Sequence, residues 1–154
     1  MTREHEVAAG TTGSSDTVGR RIAAPQILPE VAPFWAAANA GSLLLKQCAD
    51  CGRFHHYPRD VCPFCFSLDT RWRASSGLGV IYSYSTMGEG AAAYTLAYVD
   101  LDEGVSMLTN LVDCDPAGLR VGARVRVVFK ASDSGQALPM FTPVESGDPS
   151  GDPA

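Results

Sequence analysis

Two Cys-x-x-Cys pairs, Cys48/Cys51 and Cys62/Cys65, separated by ten residues, carry the most specific chemistry in this sequence. In such a turn both thiolates can point at one ion while backbone N–H groups hydrogen-bond to the sulfurs. Two turns on facing hairpins then complete a tetrahedron with Zn–S distances of about 2.3 Å. Four protein thiolates leave no open coordination position. The site is therefore expected to be structural, holding one Zn2+ per chain and stabilising a segment with too little core to fold alone, without activating water. Iron in a rubredoxin-like centre would use the same ligands; zinc is favoured because no redox partner is apparent. Gly52 follows the first pair, in a place where glycine suits the turn, whereas Phe66 follows the second, which predicts a looser or differently wound second turn. His55 and His56 lie between the pairs and could replace a cysteine. With four thiols present they are expected to face solvent or to hydrogen-bond to the backbone.

The fifth cysteine, Cys114, sits in Asp113-Cys114-Asp115-Pro116. Two flanking carboxylates raise a thiol pKa, the wrong direction for a nucleophile at neutral pH, so a packing role is expected. The three histidines, His5, His55 and His56, lie in the N-terminal tail and between the cysteine pairs, far in sequence from Cys114. No catalytic residue is assigned. There is no Walker-type phosphate loop, no dinucleotide fingerprint after a strand and no His-Glu-x-x-His; Met87-Gly88-Glu89-Gly90-Ala91 reads as a hairpin connection.

The elements that must position these cysteines follow from periodicity. Val31, Phe34, Trp35 and Ala38 recur at i, i+3, i+4 and i+7 within Pro29–Ala40, one face of a short helix that Gly41 can cap. Leu43–Gln47 reads as a strand leading into the first pair. Beyond Trp72 the pattern becomes that of strands at Val80–Ser85, Tyr94–Leu101, Ser106–Val112, Ala123–Lys130 and Met140–Val144, with Gly, Asp and Pro clusters between them. Five short strands at this spacing predict a small closed barrel, with Gly77, Gly79, Gly118 and Gly122 available for bends. The fold class is mainly β: an N-terminal helix, a rubredoxin-like zinc ribbon, then a five-stranded OB-fold. The expected organisation is a disordered tail over 1–24, helix and lead-in strand over 25–46, ribbon over 47–74, barrel over 75–145 and a second tail over 146–154.

The length of 154 residues suits one domain or two small ones and argues against a large multidomain enzyme. No apolar run approaches the ~20 residues that cross a bilayer, and the first residues lack the apolar core of a secretory signal, so a soluble cytoplasmic protein with no membrane partner is expected. The net charge of −5 argues against broad nucleic-acid binding. That charge is uneven: residues 47–74 carry Arg53, Arg59, Arg71 and Arg73 against three aspartates, while residues 75–145 carry four positive and eight negative groups. The four arginines are candidates for a phosphorylated ligand such as a coenzyme, set against an ordinary solvated surface.

These features together resemble a known family. They run from Pro33-Phe34-Trp35 and Gly41-x-Leu43-Leu44 through Cys48-x-x-Cys51-Gly52 and Cys62-Pro63-x-Cys65 to the strand Gly79–Ser85. They continue in Asn110-Leu111-Val112-x-Cys114-Asp115-Pro116 and in Val121-Gly122-x-x-Val125-x-Val127-Val128-Phe129. The chain over about residues 29–145 is similar to the zinc-ribbon plus OB-fold proteins catalogued as domain of unknown function 35, described as acyl-CoA-associated.

The resemblance implies an accessory subunit of a thiolase-like enzyme. Members accompany acetoacetyl-CoA thiolase and hydroxymethylglutaryl-CoA synthase, acyltransferases of aromatic polyketides, or lipid-transfer-protein-type thiolase homologues that act as retro-aldolases, carbon-carbon lyases of steroid side-chain degradation and so of lipid metabolism. Chemistry in these assemblies belongs to the partner, and acyl-CoA is met through the complex. Two other classes remain open from the residues: a single-stranded nucleic-acid-binding OB module, which the acidic barrel disfavours, and an autonomous acyltransferase using Cys114. Phe34 is expected to pack in the chain's own core, while Trp35 could serve the core or a partner.

Overall fold

The computed structural model describes residues 21–144. A single 3-10 turn, Pro29–Val31, runs into helix α1, Ala32–Asn39. The apolar stripe read from the sequence is the buried one: Val31, Phe34, Trp35 and Ala38 all lie in the core. Gly41, at φ 76°, ends the helix as the left-handed residue of a Schellman motif, with Gly41 N donating to Ala38 O at 3.0 Å and Ser42 N to Ala37 O at 2.9 Å.

Three short strands build the ribbon: β1, Leu44–Cys48; β2, Phe54–His55; and β3, Thr70–Ala74. They form an antiparallel sheet in the order β2-β1-β3, with Lys46 opposite His55 on one side and Trp72 on the other. Lys46 is a buried lysine in the centre of this sheet. Its Nζ donates to Asp60 Oδ1 and Thr70 Oγ1, both at 3.2 Å, and lies 4.7 Å from the centre of the Trp72 ring. Carboxylate, hydroxyl and ring face together replace the water that burial removes.

Five strands close the barrel: β4, Leu78–Met87; β5, Tyr94–Leu101; β6, Ser106–Leu111; β7, Arg124–Ala131; and β8, Ala137–Pro143. Their order around the barrel is β4-β5-β6-β8-β7, the expected five-stranded closure. A bulge between Ile81 and Ser83 bends β4. Gly79 sits where β4 meets both β5 and β7, and a Cβ there would stand 2.5 Å from Asp100 O, so only glycine lets the strands approach. The closure is uneven. Strands β6 and β8 run parallel and share one bridge, Leu111 opposite Phe141.

Helix, ribbon and barrel share one continuous core: Val31, Phe34 and Leu45 belong to the same buried cluster as Ile81, Val99, Val125 and Phe141. Asn39 at the end of α1 fastens the helix to the β7–β8 hairpin, accepting from Ala137 N at 2.8 Å and donating to Gln136 Oε1 at 3.1 Å. Residues 21–24, expected within the first tail, run beside the same hairpin: Asp133 N donates to Ile22 O at 2.8 Å, and Ala24 N to Asp133 Oδ1 at 3.1 Å. The rest of that tail, with His5, and the C-terminal tail lie outside the described residues. No helix among the described residues is long and apolar enough to cross a membrane.

Candidate metal centre

Each cysteine pair sits on a tight turn at one end of the ribbon. In the first, Cys48 ends β1, Cys48 N donates to Arg53 O and Gly52 N returns to Cys48 O, both at 3.0 Å. In the second, Cys62 N donates to Ser67 O at 2.9 Å and Phe66 N returns to Cys62 O at 3.0 Å. The two turns have the same hydrogen-bond pattern, and Phe66 adopts the left-handed φ of 61° beside 73° at Gly52. The second turn is therefore not wound differently, as its phenylalanine led us to expect. The knuckle geometry outweighs the steric preference of a non-glycine residue, and the side chain is accommodated by being left 78% exposed.

The turns bring four sulfurs together, with Cys48 Sγ 3.5 Å from Cys65 Sγ, Cys51 Sγ 3.7 Å from Cys62 Sγ, and all four ligand atoms within 4.8 Å of one another. A tetrahedron with 2.3 Å metal–sulfur bonds has edges of about 3.8 Å, so the four cysteines are positioned to bind one metal ion. Sulfurs this far apart are not disulfides, whose bond is about 2.05 Å. Cys48 and Cys62 are buried and Cys65 is exposed.

Full ionisation of the four thiols would need a compensating cation. Burial pushes the Cys62 thiol up, but the backbone of Cys65 and Phe64 and the thiols of Cys51 and Cys65 outweigh it and bring it down to about 7. At Cys65 the backbone of Ser67 favours the thiolate, yet partial desolvation beside the turn and the three neighbouring sulfurs push it up to about 12. Four thiolates cannot ionise against one another in so small a volume unless a metal ion compensates them.

Neither histidine between the pairs points to the sulfurs as a ligand. His55 is buried, with Nε2 3.2 Å from Arg59 O, the backbone contact expected of it. His56 departs from expectation: it is half-buried against Phe34, ring centres 5.7 Å apart, and its Nδ1 is enclosed without a partner among the described residues. Burial, with the nearby His55 adding to it, pulls its pKa down to about 4.

The four arginines make separate contacts. Arg53 lies over the Phe64 ring at 3.4 Å, Arg71 is bidentate to Asp69 at 3.1 Å, Arg73 donates to Gln47 Oε1 at 3.3 Å, and Arg59 is exposed. Cys114 is half-buried and packs against the core cluster. Its thiol is pushed up first by burial and only then by Asp113 and Asp115. Trp35 faces inward, and its Nε1 donates to Tyr57 Oη at 3.0 Å.

Comparison with known proteins decides the family. Residues 35–71 match the family model of the ChsH2 rubredoxin-like zinc ribbon domain, and residues 72–130 that of the ChsH2 C-terminal OB-fold domain. A DUF35 domain-containing scaffold protein of Methanothermobacter thermautotrophicus is 33% identical over 55% of this chain and 69% of its own length. The chain belongs to the ChsH2/DUF35 family. A solved structure of the Ltp2-ChsH2(DUF35) aldolase matches this ChsH2-family chain with a TM-score of 0.69 and 32% identity, over 78% of this chain and 98% of that one. Two curated relatives are longer. A probable enoyl-CoA hydratase alpha subunit of Thermomonospora curvata is 33% identical over 71% of this chain and 36% of that protein. The 3-oxo-4,17-pregnadiene-20-carboxyl-CoA hydratase alpha subunit of Mycobacterium tuberculosis is 29% identical over 68% of this chain and 35% of that protein. The ChsH2-family chain thus spans about a third of the length of these hydratase subunits.

Proposed function

We propose that this chain is a non-catalytic accessory subunit, stabilised by one structural zinc on Cys48, Cys51, Cys62 and Cys65, that binds and stabilises a thiolase-like acyl-CoA enzyme of lipid-transfer-protein type. The complex acts as a retro-aldolase in steroid side-chain degradation. The observation that carries this reading is the likeness to the aldolase structure, which extends over 98% of the matched chain at 32% identity. The hydratase reading is weaker, because the chain corresponds to only 36% and 35% of those alpha subunits and leaves most of each unmatched.

The chain's own chemistry supports an accessory role. Four converging sulfurs fill a tetrahedral ion and leave it no position for water or substrate. The remaining thiol, Cys114, is held protonated by burial and by two carboxylates, which is unsuited to nucleophilic attack. Retro-aldol cleavage breaks the bond between the α and β carbons of a β-hydroxyacyl thioester, with the hydroxyl losing its proton to become a carbonyl and the α carbon gaining one. The acid and base for that exchange are assigned to the partner.

The test is co-expression with a lipid-transfer-protein-type thiolase homologue, followed by size-exclusion chromatography and an assay with a β-hydroxy steroid acyl-CoA. Co-elution, about one zinc per chain, and turnover by the complex but not by this chain alone are expected. Separate elution, or turnover by this chain alone, overturns the reading.

A further inference from the structure

Among the described residues, the start of β6 has no ladder partner on the side that faces β8. Val112 N donates to Phe141 O across the β6–β8 seam at 2.9 Å, while Val105 O accepts from Leu101 N on the β5 side at 2.8 Å. Successive residues of a strand turn their backbone groups to alternate sides. Ser106, Leu108 and Asn110 therefore direct theirs at the seam, as Val112 does. Among the described residues the seam's single bridge is Leu111 opposite Phe141, and Ser106 and Leu108 have no strand opposite them. Thr109 Oγ1 reaches Pro139 O at 3.2 Å, marking the narrow end of a wedge that opens toward Ser106. The side chain of Leu108 stands 55% exposed on this edge.

Three clefts follow one another along the same edge. One of about 340 Å³ takes in Glu103–Ser106, one of about 260 Å³ takes in Met107–Asn110, and one of about 390 Å³ takes in Asn110–Cys114. They share walls: His56 lines the first two, and Ile22, Asn110 and Met140 line the last two. The middle of this trough is aromatic, from Phe34, Trp35 and Tyr57. Its first end is charged. Glu103 Oε1 accepts from Ser76 N at 2.6 Å, but its Oε2 is enclosed and has no partner among the described residues. Arg53 lines the same end yet is stacked on Phe64 and makes no ion pair with Glu103 among the described residues.

Backbone donors and acceptors that recur about every 7 Å along a strand match an extended polypeptide. The enclosed Glu103 oxygen asks for a cationic or N–H donor beside it. We propose that the Ser106–Leu108 edge of β6 receives an extended segment of the thiolase-like partner subunit, which adds a short strand there and places a Lys or Arg side chain against Glu103. This rests on the partner reading above. The segment's alternate side chains enter the aromatic middle of the trough, and an otherwise open strand edge is covered in the complex.

Hydrogen–deuterium exchange of the complex against the free chain tests this. The amides of Ser106 and Leu108 are expected to exchange at least tenfold more slowly in the complex. Leu108→Pro removes one seam-facing N–H at a position where an edge strand tolerates proline, and is expected to weaken the complex at least tenfold while keeping the zinc content and circular dichroism of the free chain. If that variant misfolds, the exchange result on the unmodified chain decides. Glu103→Gln, which keeps the acceptor for Ser76, is expected to weaken the complex at least threefold at low salt. A stable complex with unchanged exchange at these amides overturns this inference alone, whereas the absence of any complex overturns the partner reading and this inference with it. Equal slowing of the same amides by palmitoyl-CoA without the subunit overturns it in favour of an acyl chain.

Discussion

Phe66 and Gly52 occupy equivalent places in the two cysteine turns, each donating its backbone N–H to the first cysteine of its pair at 3.0 Å, with φ at 61° and 73°. A phenylalanine holds this conformation at a cost of about 1 kcal/mol relative to glycine. With 78% of its surface in solvent it recovers little of that cost by burial.

Replacing Phe66 by glycine is therefore expected to leave the stability of the isolated chain unchanged or to raise it by up to about 1 kcal/mol, since relief of the turn competes with greater freedom in the unfolded state. Phe66→Val, β-branched and disfavoured at positive φ, is expected to lower stability by about 1–2 kcal/mol. Chemical denaturation of the two variants beside the parent checks the pair. Loss of folding in Phe66→Gly would show that the ring, not the turn, holds the knuckle.

The metal centre makes a second prediction. Purified protein should contain about one zinc per chain, and strong chelation or Cys62→Ser should melt the ribbon, because Cys62 is buried and supplies one of the four converging sulfurs. The core is continuous from Leu45 into the barrel, so loss of the metal should also lower the melting temperature of the whole chain, not only of the ribbon. Elemental analysis and calorimetry with and without chelator measure both effects. Stoichiometric iron would assign the centre to a redox ion instead.

The parts of this architecture that depend on local pattern were legible in the residues. The helix face Val31, Phe34, Trp35 and Ala38, the Gly41 cap and the strand Tyr94–Leu101 stand where their periods place them. Strand β8 begins at Ala137, three residues before the Met140 read from the pattern, and so takes in Pro139. It is tolerated since Phe141, two residues on, faces the seam, so the N–H that Pro139 lacks would point where no ladder forms. The enclosed His56, the buried Lys46 and the open edge of β6 were not legible. Each depends on which distant segment packs beside it, and nothing in a single sequence records that packing.

His56 gives stability a dependence on pH. Its folded pKa is pulled down to about 4 by burial and then by His55, below the value of about 6.5 expected when unfolded. The unfolded chain then binds the extra proton, so the contribution is fully present above about pH 6.5 and is lost as the pH falls toward 4. The full effect is of the order of 3 kcal/mol. Denaturation at pH 7 and pH 5 should show a steeper loss for the parent than for His56→Phe; equal slopes would place His56 in solvent.

Gly79 tests the closure of the barrel. A methyl group there would meet Asp100 O at 2.5 Å and Val99 Cγ1 at 2.9 Å. The first is backbone and cannot swing aside. Gly79 also pairs with both Leu101 and Val125, so the strain falls on the two ladders that bring β4 into the barrel. Gly79→Ala is expected to cost about 2 kcal/mol or more, within the range of overpacked cores. Gly118, another glycine beside the barrel strands, has nothing within 4 Å of the corresponding position, so Gly118→Ala should change stability by less than about 0.5 kcal/mol. Thermal and denaturant unfolding of the two variants separate a glycine that the strand approach requires from one that only occupies a turn. Equal losses would mean that β4 and β5 can move apart at Asp100 without opening the barrel.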